Sequence, residues 1–219
     1  MGSASDPAAV PRAPAAGRRQ AAQPASSRDK IVDAAIACIR RQGVEHTSIS
    51  AVAVMAGVSR PTVYAHFDTR EALISAAMEK ADAAIAGQVV AAASRRSKTA
   101  ADFVVEALIA ARREFRAQPA FNPADWLRAD PLAAEQTLSC RALAVARTIL
   151  APIAGYEPAL GPQLDEIAET MVRWLLSLLM FDSDRTSTEA RLRSYLRRAV
   201  VPALGIPASP QDMAAGDTA

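Results

Sequence analysis

The sequence predicts an all-α protein, and three observations predict it. Apolar residues recur at three- and four-residue spacings in one segment after another, the period of a helix with one buried face. Alternation of β-branched and aromatic residues, the mark of strands, is hard to find: aromatics make up only 5% of the chain and alanine is very abundant. Ser48 to Phe67, reading SISAVAVMAGVSRPTVYAHF, holds two short apolar-periodic segments around the break Ala56-Gly57-Val58-Ser59. Gly57 can take a left-handed conformation at a helix end, Ser59 is a good N-cap, and Pro61 is tolerated in a first turn. Two helices joined by so tight a turn form a helix-turn-helix, whose second helix can enter a DNA major groove.

In chain order, residues 1–26 are rich in Ala, Pro, Ser and Arg without periodicity, and are expected to be a disordered tail. Arg12, Arg18 and Arg19 could form a minor-groove arm or be simply solvated. A first helix is expected from about Arg28 to Gln42, ending at Gly43, with Ile31, Ala35, Cys38 and Ile39 on one face. Cys38 reads there as a small core residue. Thr47 or Ser48 caps the second helix, whose inward stripe is Ile49, Val52, Ala53 and Ala56. The third spans about Arg60 to His66, with Val63 and Phe67 turned inward. Asp68 with Glu71 resembles a capping box opening a long fourth helix that carries Leu73 and Ala77.

Beyond a polar break at Ser94–Lys98, Thr99 with Asp102 is a second box-like start. Val104, Leu108, Ala111 and Phe115 then form a clear helical stripe. Asn122-Pro123 and Asp130-Pro131 predict two further starts, the first holding Trp126, the second running to about Leu150. Residues 155–162 read as a loop. The helix from about Gln163 to Phe181 is apolar almost all round toward its end, so it should be buried on more than one side. Thr186 with Glu189 would open a last helix, with Leu192, Tyr195, Leu196 and Ala199 inward and Arg191, Arg193, Arg197 and Arg198 off the stripe, as a solvated face or a second DNA surface. Residues 206–219 are expected to be a tail. About nine helices result: a DNA-binding unit over 27–72 and a larger unit over 73–205.

Composition narrows the function classes. With 219 residues, 51% of them hydrophobic, the chain can bury a real core. Net charge is +2. The first 80 residues hold ten Lys/Arg and seven Asp/Glu, a modest basic lean. Two cysteines, Cys38 and Cys140, show no metal or disulfide spacing. The start has no apolar signal core, and the most apolar run, Met171 to Phe181, is broken by Arg173 and Ser177. The expectation is a soluble cytoplasmic protein with no membrane contact. The only histidines, His46 and His66, both lie in or beside the DNA-binding segment, and no phosphate loop, nucleophile motif or metal-ligand cluster appears, so an enzyme is not expected and no cofactor is implied.

The spaced set Gly43, Thr47-Ser48-Ile49, Ala56-Gly57-Val58-Ser59, Thr62-Val63-Tyr64, His66-Phe67, Arg70-Glu71 and Leu73 resembles the DNA-binding domain of TetR-family transcriptional regulators. Pro61 stands where that family usually carries Gly, and Arg70 where it carries Lys. The resemblance implies a homodimer on double-stranded DNA with a near-palindromic operator, repression as the default, and a small molecule controlling the separation of two reading heads. Ser48, Tyr64, His66 and Arg70 are the candidate phosphate contacts. Arg60 and Thr62 are candidates for base edges, Pro61 for a thymine methyl, and Ser59 for a cap that also borders DNA. The dimer is expected through helices at about 163–181 and 187–203. A small apolar effector would meet Phe103, Phe115, Trp126, Met171 and Trp174, large side chains drawn from several helices. Arg173 would pair with Glu169 or serve as counter-ion to an acidic ligand. The rival reading is a DNA-binding protein without an effector, whose C-terminal unit would be a closed core.

Overall fold

The structure, a computed structural model, describes residues 26–123 and 140–206. Among these residues all regular structure is helical. The expectations placed on Arg12, Arg18, Arg19, Trp126 and residues 207–219 lie outside the described residues, while Ile206, expected to begin the C-terminal tail, is buried in the core.

α1 (Ser27–Gln42) starts one residue earlier than its pattern suggests, because Ser26 caps it by accepting the Asp29 amide. It ends at Gly43, whose φ of 82° is open to glycine at little cost. α2 (Ile49–Ala56) and α3 (Arg60–Tyr64) follow. The three are welded by one small core: Ile31, Ala35, Cys38 and Ile39 of α1, Ile49, Val52 and Ala53 of α2, and Val63 and Phe67 at α3 are all buried. Each such large side chain contributes ~1.5–3 kcal/mol through burial.

α4 (Arg70–Ser94) is 25 residues long and belongs to both halves. Its early positions Leu73 and Ala77 close the N-terminal core, and the Lys80 ammonium reaches Asp33 of α1 at 2.6 Å. Its later positions Ile85, Val89 and Ala93 face the C-terminal core. The cap of α4 is Thr69, not Asp68: the Thr69 hydroxyl accepts the Ala72 amide at 3.0 Å. Thr69 is the residue with extended backbone just before the helix, which shifts the cap by one position from the predicted box.

α5 (Ala100–Ala117) is the axle of the C-terminal half. It opens with the predicted Thr99–Asp102 capping box and packs against α4 and against described helices that follow α6 (Cys140–Leu150). A 3-10 turn over Pro119–Phe121 ends this run. α6 packs on α4 and on α8 (Leu164–Met180). The predicted loop over 155–162 is instead structured, as α7 (Ile153–Tyr156) and a 3-10 helix over Pro158–Gln163. α9 (Glu189–Ala199) is capped by Thr188 rather than Thr186. Thr186 is taken by the preceding 3-10 turn, where its hydroxyl accepts the Ser183 amide.

Two expectations about α8 and α9 are revised. The predicted all-round burial of α8 holds only on its inner side. Trp174, Leu175, Leu176 and Met180 are half-buried, and Phe181 is 68% exposed. Arg193 and Arg197 of α9 do not form a solvated or DNA-facing row. Arg193 donates to both oxygens of buried Glu106, at 2.5 and 3.2 Å, and Arg197 donates to Asp102 at 2.5 Å. A buried carboxylate needs a partner, and these arginines supply it from across the core. Arg173 makes the expected helix-surface pair with Glu169 at 2.5 Å. Among the described residues no helix is long and apolar enough to cross a membrane.

Candidate nucleic-acid interface

The turn between α2 and α3 is built by three residues. Gly57 has φ 67° and ψ 34°, and its amide closes back on the Ala53 and Val54 carbonyls. A Cβ added there would meet nothing within 4 Å, so glycine is needed for its backbone angle alone. Ser59 then starts α3: its Oγ accepts the Thr62 amide at 3.2 Å and lies 2.8 Å from the Thr62 hydroxyl. Pro61 occupies the first turn, where no intrahelical donor is lost.

Burial of Val63 and Phe67 decides which side of α3 faces out. Arg60, Pro61, Tyr64 and His66 are exposed and Thr62 is half-buried. The Arg28 guanidinium lies over the Phe67 ring, 5.0 Å from its centroid, and ties the start of α1 to the end of this segment. Of the two residues that could cap α2, the structure selects Ser48, whose Oγ accepts the Ala51 amide at 3.2 Å. Thr47 is turned inward, and its hydroxyl donates to the Gly43 carbonyl.

Arg70 is not an open cation. Its Nε donates to the Thr47 carbonyl at 2.7 Å, and Nη2 donates to Val44 and Glu45 carbonyls at 2.5 and 3.3 Å. The planar fork of an arginine can serve several carbonyls at once, which a lysine ammonium at the same point would do with poorer geometry. Gln42 completes the corner by donating to the His46 carbonyl at 2.8 Å. The segment that presents Ser48 is therefore held from both sides.

The candidate effector residues separate into two groups. Phe103, Phe115 and Met171 are buried core residues, and Phe103 packs against Tyr156 with ring centroids 5.7 Å apart. Trp174 instead meets Tyr195 of α9 edge-on at 6.0 Å. It lines a cleft of about 140 Å³ with Leu178, Phe181, Asp182, Thr186 and Tyr195. That volume is below the ~300–1,000 Å³ of small-molecule sites. Trp126 lies outside the described residues. Neither the head-to-core contacts nor the Arg193–Glu106 pair had a local signal in the sequence, since each joins residues far apart in the chain.

The comparisons with known proteins agree with this geometry. Residues 31–77 match the sequence profile of bacterial regulatory proteins of the tetR family. No curated protein matches the chain. Among solved structures, the chain resembles the TetR-family repressor AlkX from a Dietzia strain, implicated in biodegradation of n-alkanes. The two share 21% identity over 86% of this chain and 98% of the other, with a TM-score of 0.57. A tetR-family transcriptional regulator from Streptomyces coelicolor is similar at 18% identity, over 86% of this chain and 85% of that one, with a TM-score of 0.56. Helices α1 to α3 and the start of α4 are thus the part of the chain that matches the tetR family of bacterial regulatory proteins, and the whole described fold is similar to that of the two solved regulators.

Proposed function

We propose that the protein is a ligand-responsive repressor that binds a near-palindromic operator as a homodimer. The observation that carries this reading is the exposed edge of Arg60, Pro61, Tyr64 and His66, held on a head whose inner side is packed around Val63 and Phe67. Arg60 suits a guanine edge through its bidentate fork. Pro61 offers an apolar ring to a thymine methyl. Thr62 keeps its hydroxyl near Ser59, which leaves its methyl group for the same purpose. Ser48, Tyr64 and His66 would meet phosphates and set the register, with Ser59 bordering them. Arg70 would act from behind, by holding the corner that carries Ser48.

One short helix reads too few base pairs to be selective, so two heads are required, about one helical turn of DNA apart or a multiple of it. The apolar outer side of α8 supports dimerisation there. Trp174, Leu175, Leu176, Phe181 and Tyr195 stay partly open on a single chain, and a second copy would close them into a four-helix bundle with α9. A small apolar effector would enter the core around Phe103, Phe115 and Met171, with Trp126 proposed as a contact from the sequence alone, while Trp174 passes to the dimer face. An apolar effector also suits the n-alkane setting of the Dietzia repressor. The effector must bind the DNA-competent and DNA-incompetent states with different affinity.

Gel-shift with the DNA upstream of the protein's own gene tests the reading. A discrete complex that survives competitor DNA is expected, with sedimentation giving a dimer. Binding that depends on salt but not on sequence would sink it.

A further inference from the structure

The reading head is joined to the C-terminal half by α4, which is continuous through both. The structure also contains a second connection. At the end of α1, Arg40 Nη2 donates to Gln118 Oε1 at 3.0 Å, and the Arg40 guanidinium lies 5.8 Å from the centre of the Phe121 ring. Phe121 is buried, so the guanidinium rests on a fixed surface. Gln118 closes α5, and Phe121 closes the 3-10 turn behind it.

The last turns of α5 are anchored at their other side to the end of α8. Arg112 donates to the Leu178 carbonyl, to the Thr186 carbonyl and to Asp182, at 3.2, 3.1 and 2.7 Å. Arg116, one turn later, adds Leu178 again at 3.3 Å and Asp182 at 2.8 Å. These bonds grip the α8–α9 connector beside Phe181, at the edge of the apolar face. Arg116, which reaches that connector, stands only two residues before Gln118, which meets Arg40. Two residues past Arg40, Gln42 grips the corner that Arg70 holds from α4.

We propose that the end of α5, from Arg112 to Phe121, is a strut that positions the reading head in parallel with α4, with Arg40 and Gln118 as its positioning residues. This rests on the DNA-binding reading of α3. A helix joined to a body at one point can swing about that point. A second contact on α1, off the α4 axis, removes that freedom. The strut's far end lies at the apolar α8–α9 edge, so a shift there moves the head by way of α5 without any bend in α4. The Arg40–Gln118 bond is exposed and individually weak, which lets it break and re-form on such a shift.

The test uses the full chain with Arg40→Ala, Gln118→Ala, the double variant, and Arg113→Ala as control. Arg113 leaves the same turn but pairs only with its neighbour Glu114 among the described contacts. Hydrogen exchange on the DNA-free protein comes first. Each single variant should speed exchange in the last turn of α1 and in 43–47 by about threefold or more, a size usual for coupling contacts. The double variant should add nothing further, and the control should match the parent. Affinity for the upstream DNA should fall in parallel in both single variants. Unchanged exchange, or additive effects in the double variant, overturns the strut. So does an affinity loss confined to Arg40→Ala, which would make Arg40 a direct DNA contact. If the parent binds no DNA, the functional reading falls, and exchange alone still decides for or against the strut.

Discussion

Arg70 Nε donates to the Thr47 carbonyl at 2.7 Å, so the first residue of α4 holds the residue just before the α2 cap. The guanidinium also reaches the Val44 and Glu45 carbonyls. A cation that serves three backbone acceptors at a loop sets the loop's shape. It links the orientation of α4 directly to the position of Ser48.

Arg70→Ala should therefore cost stability as well as DNA affinity. Charge-assisted hydrogen bonds to carbonyls contribute ~1.5–3 kcal/mol, and half-exposure places this site at about 1–2 kcal/mol. Urea unfolding measures it. Full stability with lost DNA affinity would return Arg70 to the phosphate role expected from sequence.

Gly57→Ala isolates the backbone demand of the turn. The site has room for a methyl group but holds φ at 67°. The expected loss is about 1–2 kcal/mol, all of it conformational. Asn at the same position should recover part of it, because Asn tolerates this region better. Thermal unfolding of the Ala and Asn variants checks the order.

Arg60→Ala should relax operator specificity by ~1–3 kcal/mol at one base-pair position if the fork meets guanine. Competition binding against single-base operator variants reads this out. Equal weakening on every sequence would reassign Arg60 to phosphate.

Glu106→Ala should be more harmful than replacing both members of its pair. Glu106 is buried and held by both arms of Arg193, which is itself partly open to water. Removing the carboxylate leaves Arg193 without it, at a cost of about 1–3 kcal/mol, below the ~3–5 kcal/mol of a fully buried pair. Glu106→Leu with Arg193→Met should recover much of that loss in denaturant unfolding.

Acid should weaken the α5–α9 contact through Asp102. Burial raises its pKa, but the bonds donated by Arg197, the Lys98 amide and Thr99 outweigh this and hold it below its ordinary value of 3.8. The folded state thus binds this proton less readily than the unfolded chain. The stabilisation is fully present above about pH 4 and is lost as pH falls from 3.8 through the lowered folded value. Asp102→Asn should flatten the dependence of unfolding free energy on pH in that acid range. An unchanged acid slope would show that Asp102 does not contribute to it.

Much of the head could be read from the chain because its signals are local. Gly57, Ser59 and Pro61 act within a few residues of themselves, and Val63 with Phe67 set the buried side of α3 by spacing alone. The Thr99–Asp102 box was legible for the same reason. The α4 cap went to Thr69 because capping depends on backbone angles at a single residue, and two neighbours offered suitable side chains. Arg193 and Arg197 looked like surface because a helical stripe describes only its own helix. Their carboxylate partners sit on α5, some ninety residues earlier in the chain.

The sequence by itself determined the helical class, the helix-turn-helix and the identity of the residues on its outer edge, since each follows from periodicity and capping over short range. Only the tertiary structure decided that Arg70 turns back onto the α1–α2 corner, that Trp174 joins the α8–α9 face, and that Arg40 meets Gln118. Those contacts join residues separated by 21 to 78 positions, and a pairing at that distance is set by how helices pack, not by any pattern within them.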